Sequence, residues 1–185
     1  MAVGQGSLSG EVRKAGFQIA SLGIQPVTSI AKQTKQIVSR RAGCIHVASG
    51  NLIAVTGRWW PYAGNHLQAT FDYRLRPLKE DLCQLYFHEP FGSPGFLTLS
   101  YVRSGDKTSL SSFYGATLVL DAIAELKGSN AIVCNVTNDR ITDRLLARWG
   151  WEMHCDDWPG RHFIKRFYGN YPEIKPVWHN RLTLS

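Results

Sequence analysis

"SFYGATLVLDAIAELKGSNAIVCNVTNDRITDRLLARWGW", residues 112–151, decides the fold. Ala116, Leu120, Ile123 and Ala124 recur at helical spacing, so the period predicts an amphipathic helix over 112–127. Gly128 closes it, as a residue able to adopt a left-handed conformation does at a helix end. AIVCNV (131–136) is short and nearly all apolar, the pattern of a strand covered on both faces. Asn138 then reads as the N-cap of a second helix that sets Ile141, Leu145 and Trp149 on one stripe. Arg140, Arg144 and Arg148 form a parallel basic stripe beside Asp139 and Asp143, and Gly150 ends the helix.

Working outward, FLTLSYV (96–102) is a strand, and GDKTSLSS (105–112) is a hydroxyl-rich connection into the first helix. A strand–helix–strand unit of this length makes a right-handed parallel crossover, which places the strands at 96–102 and 131–136 side by side. WEMH and HFIKRFYG follow as antiparallel strands joined by CDDWPGR. Toward the N-terminus, CIHVA and LIAVTGRWW read as a hairpin turning at Ser49-Gly50-Asn51. HLQATFDYRL reads as extended, LCQLYF as either a short helix or a strand, and HEPFGSPG as a loop. Residues 26–41 suggest a helix with Ile30, Thr34, Ile37 and Val38 on one face and Gly43 as its stop. The segment 1–25 is expected to be flexible and 26–185 to form one domain, its tail from Asn170 wrapping or trailing. The fold class is α/β or α+β with a mixed sheet.

At 185 residues, with 44% hydrophobic and 19% charged content, the chain has the composition of a folded globular domain. No apolar run approaches the ~20 residues that a membrane-spanning helix requires, so no membrane partner is expected. Cys44, Cys83, Cys134 and Cys155 are widely spaced, which disfavours a disulfide framework or zinc site and suggests a reducing, cytoplasmic setting. The net charge of +7 is concentrated early: Arg13, Lys14, Lys32, Lys35, Arg40 and Arg41 face only Glu11 within residues 1–50. Such a segment suits nucleic acid, an organelle transit signal or simply a solvated helix face. Trp59, Trp60 and Tyr62 could stack on bases or anchor a core or interface. His154, Cys155, Asp156 and Asp157 are metal-capable types, but they are consecutive and lack a spaced partner, so no metal is expected.

The order of elements over 96–168, with these residues, resembles the C-terminal half of the GCN5-related N-acetyltransferase superfamily. In that family a glycine-containing loop leads into a helix whose N-terminal amides hold the pyrophosphate of coenzyme A. The usual loop runs Gln or Arg, two residues, Gly, one residue, then Gly or Ala. Here Ser112-Phe113-Tyr114-Gly115-Ala116-Thr117 stands in its place, with Gly115 matching and Ser112 and Thr117 departing. A later strand, Asn138, and a helix ending in Gly150-Trp151 match the family's second block. The resemblance implies a mostly antiparallel sheet with one parallel crossover. It also implies acetyl-CoA or another acyl-CoA as cosubstrate and direct acyl transfer to an amine of unknown identity. Val102, Ser111, Ser112, Gly115, Ala116, Thr117 and Asn138 become the expected cofactor residues. A non-catalytic member that binds nucleic acid through its basic N-terminal segment is the alternative.

The chemistry of such a site requires a base for the ammonium, a polarised carbonyl and a proton for the leaving thiolate. A helix N-terminus independently suits phosphate, and Thr108, Ser109, Ser111 and Ser112 offer hydroxyls, with Lys107 or Arg103 adding charge. Many relatives use a tyrosine as the acid; the position at that distance from Gly150 is Leu146, which transfers no proton. Tyr101, Tyr114 and Glu89 are the substitutes, with His88 beside the last.

Overall fold

The computed structural model describes residues 25–57, 80–137 and 141–184. The extended run at 66–75, Trp59, Trp60, Tyr62, Arg13, Lys14 and Asn138 lie outside them.

The elements are α1 (Thr34–Ser39), β1 (Ala42–Ala48), β2 (Asn51–Gly57), β3 (Leu82–His88), β4 (Phe96–Ser104) and α2 (Leu110–Leu126). They continue with β5 (Ala131–Asn135), α3 (Asp143–Arg148), β6 (Glu152–Met153), β7 (His162–Arg166) and α4 (Pro176–Leu182). The seven strands form one sheet in the order β2-β1-β3-β4-β5-β7-β6. Every neighbouring pair is antiparallel except β4 and β5, which run parallel. The chain between them is α2, so the crossover expected from 96–136 is present and the fold is mixed α/β. The hairpin β1–β2 also forms where expected, with Ser49 and Gly50 both at positive φ in its turn.

LCQLYF resolves as strand β3. Cys83, Leu85 and Phe87 turn inward while Gln84 and Tyr86 alternate outward, the period of two that a half-buried strand requires. The helix expected over 26–41 shrinks to α1, because Val27 bridges Val55 in extended form and α1 begins only after a turn at Ile30. The second helix is also shorter than expected. Its N-cap is Thr142, whose hydroxyl accepts from the Leu145 amide at 3.2 Å, and not Asn138. The tail wraps back onto the domain: α4 starts at Pro176 and buries Leu182 completely.

One face of the sheet carries the core. Ile45, Val47, Leu85, Phe87, Leu97, Leu99, Ile132 and Phe163 meet Ala116, Val119, Leu120 and Ile123 of α2. Each fully buried side chain of this size contributes about 1.5–3 kcal/mol. Leu97, Ile132 and Lys165 form a row across β4, β5 and β7. Lys165 Nζ donates to Asp121 Oδ2 of α2 at 2.6 Å, and both residues are buried. Burial raises the Asp121 carboxyl to about 6, against the opposing pull of Lys165, and Oδ1 has no hydrogen-bond partner among the described residues.

Candidate functional site

β4 and β5 pair only from Phe96↔Ala131 to Leu99↔Cys134. β4 then continues to Ser104 on β3 alone, while β5 ends at Asn135 and keeps β7 as its neighbour. The change falls at a bulge: Phe87 faces Leu99, Tyr86 faces Tyr101, and Ser100 is the extra residue. A bulge bends its strand and frees the inserted residue from the ladder. The two parallel strands therefore separate, and a cavity of about 350 Å³ lies between them.

The cavity has an apolar body and a polar rim. Leu99 and Val102 line it from β4, Phe113 and Thr117 from α2, and Leu145, Leu146 and Trp151 from α3 and its end. Gly105, Thr108, Ser109 and Leu110 close one side with the turn that enters α2. That turn is preformed. Thr108 Oγ1 accepts from the Gly105 amide at 2.8 Å and donates to the Leu82 carbonyl at 2.8 Å. Ser109 is the N-cap, its hydroxyl accepting from the Ser112 amide at 3.1 Å. The Ser109 amide itself is taken by Asp81 Oδ1 at 2.8 Å. Partial burial pushes the Asp81 carboxyl up, but hydrogen bonds from the Ser109 amide and the Ser112 and Ser109 hydroxyls outweigh it and hold the group below its usual range. The next two amides, of Leu110 and Ser111, precede any intrahelical acceptor and carry the positive end of a 17-residue helix.

The groups able to move protons sit on β4 and β3. Ser100 is exposed and lines the cavity, and its Oγ lies 2.7 Å from Nδ1 of buried His88. Burial lowers the His88 imidazole from its ordinary value. Tyr101 also lines the cavity, with its ring 6.0 Å from that of Tyr86. Cys134 lines it as a neutral thiol, since burial pushes its pKa up to about 12. Leu146, 3% exposed, lines the wall from α3.

Of the residues expected from the sequence, Tyr101, Val102, Thr108, Ser109 and Thr117 line this cavity. Ser111, Ser112, Tyr114, Gly115, Ala116 and Glu89 do not, and Asn138 lies outside the described residues. α2 starts at Leu110, so Gly115 falls in its second turn and not in the loop before it. A Cβ there would meet Trp178 at 3.2 Å, Val47 at 3.4 Å and Leu182 at 3.5 Å, all core side chains. Ala116 is fully buried beside it. Ser112 donates no hydroxyl to the cavity: its Oγ accepts from the Gly50 amide at 3.0 Å, and Ser111 faces the same hairpin turn. Tyr114 packs between Trp149 and Trp178 at 4.9 and 5.5 Å. Glu89 lies at the other end of β4, bound to Lys127 at 2.6 Å and Arg41 at 3.5 Å.

No family model, curated protein or solved structure matches this chain.

Part of the early basic segment is engaged in the fold. The Arg40 guanidinium donates to the carbonyl oxygens of Val55, at 2.7 Å, and Gln25. Arg41 lies 4.8 Å over the Phe91 ring as well as beside Glu89. Lys32 and Lys35 are exposed on and just before α1. No helix among the described residues is long and apolar enough to cross a membrane. Ser100 is the residue that sequence reading leaves out of the site, and His88, named there beside Glu89, meets it across β3 and β4. Their proximity depends on a bulge, for which neither residue type is a signal.

Proposed function

We propose that the chain is an acyl-CoA-dependent N-acyltransferase of the GCN5-related type. The observation that carries the reading is the separation of β4 from β5 beyond Leu99 and Cys134, beside the N-terminal turn of α2. An extended thioester ligand needs three different surroundings in line, and the cavity offers them. The Leu110 and Ser111 amides suit the pyrophosphate. The walls from Val102, Phe113, Leu145 and Leu146 suit the pantetheine arm. The backbone freed at Ser100 suits the thioester carbonyl, whose oxygen gains charge as the amine adds.

In the reaction the amine nitrogen bonds to the carbonyl carbon, the carbon–sulfur bond breaks, and the amine proton and thiolate are balanced by acid–base groups. The step needs no covalent enzyme intermediate. Tyr101, which lines the cavity, protonates the leaving thiolate in this reading, in place of the missing tyrosine at Leu146.

The test is a thermal shift with acetyl-CoA. At a hundredfold excess over Kd the ligand stabilises by ~2.7 kcal/mol, roughly 5–10 °C for a chain of this size. Leu110→Asp puts a carboxylate on an exposed first-turn position, where acids are tolerated, and against the phosphates, so its melting point should hold while the shift collapses. No shift in the wild-type protein at millimolar acetyl-CoA refutes the reading.

A further inference from the structure

We propose that Ser100 and His88 form a proton relay that removes the proton of the acceptor amine. The inference rests on the acyltransferase reading and assigns its missing base. Ser100 is the inserted residue of the bulge, exposed, and on the wall of the cavity at the point where β4 leaves β5. His88 sits on the adjacent strand with Nδ1 2.7 Å from the Ser100 hydroxyl, and its side chain is buried. Both lie on the sheet face opposite α2, because Phe87 and Leu99 between them face the core. The amine therefore approaches from the face that α2 leaves free, toward a thioester held at the bulge.

The proton balance is simple. Nδ1 accepts from Ser100 only in the tautomer that carries its hydrogen on Nε2. The ammonium passes one proton to Ser100 Oγ as the Ser100 hydroxyl proton moves to Nδ1, leaving a neutral amine and an imidazolium. The amine attacks, the carbon–sulfur bond breaks, and the thiolate takes a proton from Tyr101. The tyrosinate takes the second proton of the attacking nitrogen, which leaves a neutral amide, and the imidazolium gives its proton to solvent.

The surroundings of His88 suit a neutral acceptor. Among the described residues its partner on β1 is Ala42, with Cys44 two residues along; on β4 they are Thr98, Ser100 and Tyr101. On its own strand Tyr86 shares its face, and Glu89 beside it is neutralised by Lys127 and Arg41. Burial holds the His88 imidazole below its ordinary value, so it is uncharged and able to accept at neutral pH.

The experiment measures thiol release from acetyl-CoA with a panel of primary amines (spermidine, tyramine and a lysine peptide), alongside calorimetric binding of acetyl-CoA. Ser100→Ala and His88→Gln should each slow release about 10²-fold, the lower range for a general base, with acetyl-CoA affinity unchanged. Ser100→Thr, which keeps the hydroxyl, should stay within about tenfold of wild type on the same scale. The wild-type rate should rise with pH through a midpoint below the ordinary histidine value, and His88→Gln should lose that limb. A bond that merely ties β3 to β4 would change melting temperature and leave the pH profile in place, which overturns the relay. So does an acetyl group found on Ser100 by mass spectrometry, which would make the serine a nucleophile. Binding of acetyl-CoA by the wild type with no thiol release from any amine also overturns the relay and leaves the cofactor reading standing. Absence of binding overturns both.

Discussion

Strand β4 is two strands in one. From Phe96 to Leu99 it pairs with β5, with β3 on its other side from Thr98 onward, and Leu97 and Leu99 pack beneath α2. From Ser100 to Ser104 it is held on one side only, and none of its residues is fully buried. α2 repeats the contrast: Gly115 and Asp121 face closed packing, while Phe113 and Thr117 face the cavity. The difference teaches where a site comes from. The closed half gives up nothing and supplies stability; the open half forgoes β5 as a partner and gains a cleft. Substitutions on the closed side should therefore unfold the protein, and those on the open side should spare the fold.

The largest effect is expected at Gly115. Gly115→Asp puts a carboxylate among Trp178, Val47 and Leu182 and should cost about 5 kcal/mol, the top of the range for an uncompensated buried charge. Chemical denaturation reads it, and retention of a wild-type midpoint would break the comparison. Lys165→Met comes next. It strands Asp121, and about 4 kcal/mol should be lost at pH 8.

That loss has a defined sign with pH. The Asp121 carboxyl is raised from 3.8 to about 6, so its contribution to stability is fully present below the unfolded value and falls as pH rises through about 6. Without Lys165 the carboxyl rises further, so the cost of Lys165→Met should shrink as the pH is lowered from 8 toward 5. Denaturant midpoints across that range decide it. Leu97→Ala, in the same row of the sheet, should cost about 3 kcal/mol through its cavity, with little dependence on pH.

The smallest effect on stability belongs to the open half. Tyr101→Phe should change unfolding free energy by about 0.5 kcal/mol or less and yet slow thiol release about 10²-fold. A large loss of stability there would mean that the second half of β4 is as closed as the first.

How much of this was legible follows from the same contrast. The crossover β4–α2–β5 was readable because its apolar period is strong and each helix carries a stop glycine: Gly128 and Gly150 both adopt positive φ. The start of α2 was misplaced because a glycine in a hydroxyl-rich stretch suggests a loop. The better signal was Ser109, three residues before Ser112, which caps the helix a turn earlier. Thr142 followed by Asp143 was likewise a stronger cap than Asn138. Counting by twos from Leu97 and Leu99 puts residue 101 on the core face. The bulge moves Val102 there and turns Tyr101 and Ser100 to the opposite side. Glu89 was set near the site by its closeness in sequence to β4. Antiparallel pairing, however, brings Glu89, just past β3, to the start of β4, where Lys127 and Arg41 bind it. Local propensity carries helices and turns; a one-residue insertion between strands leaves no comparable trace.

The most direct test of the central claim is a backbone-amide NMR titration with coenzyme A. Binding in the cleft should shift the amides of Gly105, Leu110 and Ser111 together with those of Ser100–Val102, and leave Gly115, Glu89 and Arg41 near their free positions. Shifts centred on Gly115 or on the Glu89 end of the sheet, or no shifts at all, would contradict it.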